Sequence, residues 1–193
     1  MKQRFLFCFI IFSTIILKSQ TKNHHLIGVN FEYSNMPKMI NARLGSNLTY
    51  LYAYKRFCIK VEAGVLPGSN FGTLYKTCLN FGTTTDLNKP ISVHILGGLG
   101  GVGNSKNYIY KELEYDADIG YLNLDLGTYV RPTKNERLFA GLDMMLTTYD
   151  IHPTGTGSIN LQVYEGNSYR GFLFFFNLSI NYKLNKPKSS IKN

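Results

Sequence analysis

From residue 26 onward, apolar side chains recur at every second position in one segment after another. A strand turns successive side chains to opposite faces, so this rhythm predicts β-structure, and no sustained 3.6-residue helical stripe competes with it. Eight rows stand out: Ile27 to Tyr33, Leu44 to Tyr54, Phe57 to Val65, Tyr75 to Phe81, Ile91 to Leu99, Leu122 to Val130, Leu138 to Leu146 and Phe172 to Tyr182. Lys55 and Arg56 leave space for only a very tight turn between the second and third rows. Breaker-rich turns, Asp86 to Pro90 and Pro132 to Glu136, precede the fifth and seventh.

The rows hold forty positions and none is charged, although 17% of the chain is. The interleaved positions differ in kind. Glu32, Arg43, Lys60, Glu62, Lys76, His94, Asp125, Asp143 and Lys183 lie there, together with Asn30, Asn47, Asn80, Asn123, Asn177 and Asn181. One face is therefore apolar and the other polar. A soluble lipocalin-like barrel hides its apolar face inside, whereas a membrane barrel turns it to lipid. The glycines favour the second: Gly28, Gly64, Gly127, Gly141 and five others share the polar face, where they weaken a solvated strand but make space in a narrow lumen.

The connections alternate in length, short after rows two, four and six and longer after rows one, three, five and seven, as in outer-membrane barrels with short periplasmic turns and longer outside loops. Aromatics gather toward row ends, at Tyr50, Tyr52 and Tyr54 and at Phe172, Phe174 and Phe176, as girdles at two lipid interfaces would. The expectation is an all-β protein, an eight-stranded antiparallel transmembrane up-and-down β-barrel with both termini periplasmic.

Composition removes the main rival. Each membrane-crossing helix needs about 20 predominantly apolar residues in succession, and the chain, at 44% hydrophobic and a mean hydropathy of -0.11, has one stretch that approaches this. That stretch, Phe5 to Leu17, follows Lys2 and Arg4 and ends near Ser19 and Gln20, which is the anatomy of a signal peptide. The expected division is a signal peptide at 1–20 and a barrel domain at 21–193 that ends in a short periplasmic tail. Removal of Lys2, Arg4 and Lys18 lowers the formal charge from +9 to +6. The remaining lysines and arginines are scattered apart from the tail, so nucleic acid is not an expected partner. Cys58 and Cys78 stay in the processed chain on neighbouring rows with the same parity, which leaves a cross-strand disulfide open.

In this alternation and these loop lengths, from about Leu26 to Leu184, the chain resembles the small eight-stranded outer-membrane proteins of Gram-negative bacteria, OmpA-transmembrane-domain-like or OmpX-like. Its final row, ending in Ile180, Tyr182 and Leu184, resembles the strand that the barrel-assembly machinery reads in such proteins, although here a polar tail runs on to Asn193. The resemblance implies an outer-membrane location, membrane lipid as surroundings and the assembly machinery as a partner during biogenesis.

The candidate chemistry is thin. Gly98, Gly100 and Gly103 spell a dinucleotide-binding pattern, but neither a helical stripe nor a second βαβ strand follows. His152 and Ser158 fall in a loop with Pro153, Gly155 and Gly157 that offers no scaffold for a nucleophile and its base. His24 and His25 point to opposite sides of an extended segment, and His94 reads as a hydrogen-bonded lumen residue. No catalytic residue, metal or cofactor is expected, and the protein reads as non-enzymatic.

The inward charges form the one candidate site. Arg43, Lys60, Lys76 and Lys183 balance Glu32, Glu62, Asp125 and Asp143, and their pairing would close the lumen. A structural or surface-interaction role then falls to outside loops, chiefly 103–116 and 150–169, which would contact an extracellular partner. The alternation from Ile159 to Tyr164 leaves two readings open there, a projecting hairpin that could pair with a partner by edge addition and an ordered loop. The alternatives are an outer-membrane lipid-modifying enzyme and a small-solute pore.

Overall fold

A computed structural model describes residues 23–38, 40–110, 113–120, 122–132, 137–153 and 169–184. The signal segment, the tail after Leu184, Ser158 and the segment from Ile159 to Tyr164 lie outside the described residues. Among the described residues ten strands are present: β1 (Asn23–Ser34), β2 (Leu44–Tyr54), β3 (Phe57–Ser69), β4 (Gly72–Thr84), β5 (Ile91–Asn104), β6 (Tyr108–Tyr110), β7 (Leu113–Ile119), β8 (Leu122–Val130), β9 (Leu138–Pro153) and β10 (Tyr169–Lys183). Eight of them form a closed wall in the order β10-β1-β2-β3-β4-β5-β8-β9, with β9 pairing back onto β10. Every pairing is antiparallel.

The tight turn at Lys55–Arg56 fixes the first register. Tyr54 lies opposite Phe57, Lys55 takes a left-handed φ of 53°, and its ammonium sits 5.4 Å from the centre of the Tyr54 ring. From there the two-residue rhythm decides the facing. Val29, Leu48, Leu79, Leu124, Leu142 and Ile180 are exposed on the outer wall, while the interleaved Asn30, Asn47, Asn80, Asn123, Asp143 and Asn181 are buried. Each wall strand has at least nine residues, and a tilted membrane-crossing strand needs about 9–11. Exposed aromatics band both ends: Tyr50, Tyr54, Phe57, Phe81 and Tyr182 at the end of the Lys55 turn, and Tyr33, Tyr75, Phe172 and Phe176 at the other.

The structure departs from the sequence reading in three respects. The connection between the third and fourth rows is not long, because β3 and β4 continue to Ser69 and Gly72, leaving Asn70 and Phe71 between them. The ladder absorbs Pro67 and Gly68 in an irregularity between Leu66 and Ser69, where Gly68 takes a φ of 79° and the missing proline N–H costs no ladder bond. Secondly, the connection after β5 carries the hairpin β6–β7, and β7 pairs with the outer part of β9 from Tyr115↔Pro153 to Ile119↔Tyr149. Gly120, at a φ of 68°, turns the chain from this extension into β8.

Thirdly, the interior is not uniformly polar. Leu26, Leu51, Ala53, Cys58, Leu87, Leu96, Tyr129 and Phe139 form an apolar plug at the turn end. Leu66, Phe71, Leu74, Val102, Phe175 and their neighbours form another at the hairpin end, where the β1–β2 connection adds Met36 and Ile40. The two thiols belong to opposite plugs. Cys58 is opposite Gly82, whereas Cys78 lies opposite Glu62, four residues along the ladder. Four residues of strand span about 13 Å, beyond the roughly 7 Å between Cα atoms that a disulfide tolerates. Both cysteines are free.

A buried charge belt as the candidate functional site

Between the plugs runs a belt of charge supplied by β1, β3, β4, β5, β8 and β9. Lys60 on β3 places its ammonium 2.8 Å from Glu62 Oε1, 2.8 Å from Asp125 Oδ2 and 3.1 Å from Asp143 Oδ2. Lys76 on β4 donates to Glu32 Oε2 and lies 3.4 Å from Glu62 Oε2. Glu62 thus bridges the two lysines, and the pairing runs unbroken from Glu32 to Asp143. Asn47 donates to Glu32 Oε2 at 2.8 Å, and Lys76 stands 4.5 Å from the centre of the Phe175 ring. The Lys60 and Lys76 side chains are 0% exposed, so water does not reach them from either end.

The belt is seated on glycine. A methyl group at Gly127 would collide with Asp143 Oδ1 and the His94 ring, and one at Gly64 would collide with Asn47. These polar-face glycines are where interior side chains cross the wall of the neighbouring strand.

No protein-family model matches the chain, and no curated protein does. Its fold matches a solved one. A structure from the de novo design of transmembrane β-barrels aligns over 86% of this chain and 100% of its own, with a TM-score of 0.51 and 12% sequence identity. The protein is a closed eight-stranded antiparallel barrel similar to that designed transmembrane barrel; at this identity the likeness concerns the fold alone.

Of the eight charges expected in the lumen, the structure brings six together: Glu32, Lys60, Glu62, Lys76, Asp125 and Asp143. Arg43 and Lys183 are corrections. Arg43 precedes the β1–β2 ladder, is exposed, and contributes its backbone carbonyl to the Ser34 N–H at 2.8 Å. Lys183 is half-buried at the opposite rim, where its ammonium donates to Asn88 Oδ1 at 3.3 Å. Parity carries no depth, and it does not extend past the end of a strand: beside the exposed Arg43 it is Ala42 that is buried in the interior.

His94 was missed as a member of the belt. Its Nε2 lies 3.3 Å from Asp143 Oδ1 and 3.6 Å from Asp125 Oδ1, and its ring lies tilted against that of Tyr129 with centroids 5.0 Å apart. The signal was available in register: His94 faces Gly127 across one ladder, and Gly127 faces Asp143 across the next. Glycine between them lets the two side chains meet.

The remaining motifs gain little. Gly98, Gly100 and Gly103 lie within the β4–β5 ladder opposite Asn80, Cys78 and Tyr75, with their backbone committed to the sheet. His152 pairs with Asp116 through the β7–β9 ladder. His24 is buried near Asn88, whose amide lies 3.5 Å from its Nε2, and His25 Nδ1 lies 2.7 Å from the Tyr50 hydroxyl. At the hairpin end a shallow cleft of about 410 Å³ is lined by Gly120, Thr148, Tyr149, Asp150, Arg170, Gly171 and Phe172, with Arg170 paired to Asp150 at 2.7 Å.

Proposed function

We propose that this protein is a signal-peptide-exported, up-and-down barrel of the Gram-negative outer membrane, OmpA- or OmpX-like in build, and that its role is structural or one of surface interaction rather than enzymatic. Its termini are periplasmic, and the β6–β7 hairpin with the outer ends of β9 and β10 faces the exterior, where it meets an extracellular partner. Membrane lipid surrounds the wall, and the barrel-assembly machinery is its partner in biogenesis. The observation that carries this reading is the closed interior: a belt with 0%-exposed lysines between two apolar plugs leaves no aqueous route, so activity falls to the surfaces.

The test compares a strain lacking the protein with one producing a variant whose β6–β7 hairpin is replaced by a short glycine–serine turn. Surface attachment should fall in both, while uptake of a small hydrophilic dye stays at the parental level. A loss of dye uptake in the deletion strain with attachment unchanged would favour the pore. Altered lipid A composition would favour an enzyme.

A further inference from the structure

Four carboxylates, Glu32, Glu62, Asp125 and Asp143, are buried in the belt against two ammonium groups, Lys60 and Lys76. Charges removed from water need partners, and among the described residues the belt holds two more carboxylates than ammonium groups. The deficit is localised. Lys76 serves Glu32 and Glu62, so Asp125 and Asp143 are left to share Lys60, which also contacts Glu62. Both aspartates turn Oδ2 to that ammonium. Both Oδ1 atoms are buried without a hydrogen-bond partner, and so are both ring nitrogens of His94, whose Nε2 is directed between them.

His94, Asp125 and Asp143 each offer a donor atom within 4.8 Å of the other two. The separations from Nε2, 3.3 and 3.6 Å, are close to the edge of a tetrahedron; bonds of 2.0–2.1 Å give edges of about 3.3–3.4 Å. One imidazole with two carboxylates suits a divalent first-row transition ion of the zinc type. We propose that His94 Nε2, Asp125 Oδ1 and Asp143 Oδ1 bind one such ion, with a water enclosed at folding in the fourth position.

A divalent ion with the two lysines matches the four carboxylates in charge. The surroundings already resemble a metal's supporting shell. Lys60 and Asn80 hold the outer carboxylate oxygens, keeping each carboxylate between the ammonium and the ion, and the Tyr129 ring packs beside the imidazole at 5.0 Å. The ion joins β5, β8 and β9 across the barrel wall. Because plugs cover both ends, it enters during folding and leaves slowly.

The experiment is refolding of the full chain in detergent with Zn²⁺ or with chelator, followed by chelator treatment of the folded barrel and elemental analysis. About one zinc per chain should remain, and the zinc-refolded protein should unfold at a higher temperature. His94→Gln and Asp143→Asn should each retain at least tenfold less zinc under the same treatment. Refolding with Co²⁺ should give visible d–d absorption in the parent chain, a readout that stands even where a variant fails to fold. A folded parent chain without zinc and without cobalt absorption overturns the proposal, as does a folded His94→Gln barrel that keeps as much zinc as the parent.

Discussion

Replacement of Lys60 by Met tests whether the belt holds the barrel together, because the methylene stem and its volume are nearly kept while the charge is lost. The ammonium meets three carboxylates at 2.8, 2.8 and 3.1 Å. Unit charges about 3 Å apart attract by roughly 5–6 kcal/mol at an effective dielectric of about 20. Most of that sum is offset by removing the lysine from water, so the relevant quantity is what the carboxylates suffer when it is gone. Breaking a buried ion pair costs about 3–5 kcal/mol, and here three acids lose one shared cation, which places Lys60→Met at or above the upper figure. The assay is equilibrium unfolding in lipid or detergent with chelator present, read by the heat-dependent gel shift of folded barrels. Arg43→Met, at an exposed site, should stay within about 0.5 kcal/mol. Adding Asp143→Asn to Lys60→Met should recover about 0.5–3 kcal/mol through coupling. Equal effects of the Lys60 and Arg43 changes, or strict additivity in the double variant, would refute the belt as a connected network.

Leu124→Arg or Leu142→Arg, on the exposed wall, should cost about 2–4 kcal/mol near the membrane midplane, whereas Ile109→Arg on β6, equally apolar and 72% exposed, should be tolerated; urea titration in lipid vesicles distinguishes them. Folded protein in a planar bilayer should show little steady conductance, and Lys60→Ala should admit brief openings; large, stable channels from the parent chain would contradict a closed interior. Cys58 and Cys78 should both react with a maleimide after unfolding and hardly at all before, with identical gel mobility under reducing and non-reducing conditions.

The eight wall strands and their facing were legible because alternation is a local property, and one exposed apolar row suffices to set it; the short β6–β7 hairpin was not. Nor were the plugs. In β10, residues Phe172 to Phe176 are five apolar side chains in succession, so the pattern cannot reveal that Leu173 and Phe175 point inward while Phe172 is exposed. Leu26, Leu51 and Phe139 pose the same difficulty singly: each interrupts a polar row and becomes meaningful only when Cys58 and Tyr129 gather around it. Depth was illegible as well. Arg43 and Lys183 share parity with the belt but stand at opposite rims, and a row of alternating residues does not mark where the barrel ends. His94 required two registers at once, and the sequence fixes one firmly, at the Lys55–Arg56 turn.

The plugs also explain why a barrel would retain buried charge at all. Where leucines and phenylalanines line both sides of the wall, as from Phe172 to Phe176 in β10, either face of that stretch could turn to lipid, and a slip of one residue exchanges the faces completely. Alternation of apolar against apolar gives no penalty for the slip. A belt lysine does: turned to the membrane midplane, Lys60 or Lys76 would cost about 2–4 kcal/mol each, besides the loss of its carboxylates. The belt draws residues from six of the eight wall strands, so nearly every strand carries one side chain that is tolerable on one face alone. Buried ion pairs are weak sources of stability when compared with well-fitted apolar side chains, but strong selectors between alternative arrangements. On this argument an apolar substitution of the whole belt would leave a barrel that still collapses yet populates more than one register, and a folded-state NMR spectrum with multiplied amide peaks, rather than a lowered unfolding midpoint, is its expected signature.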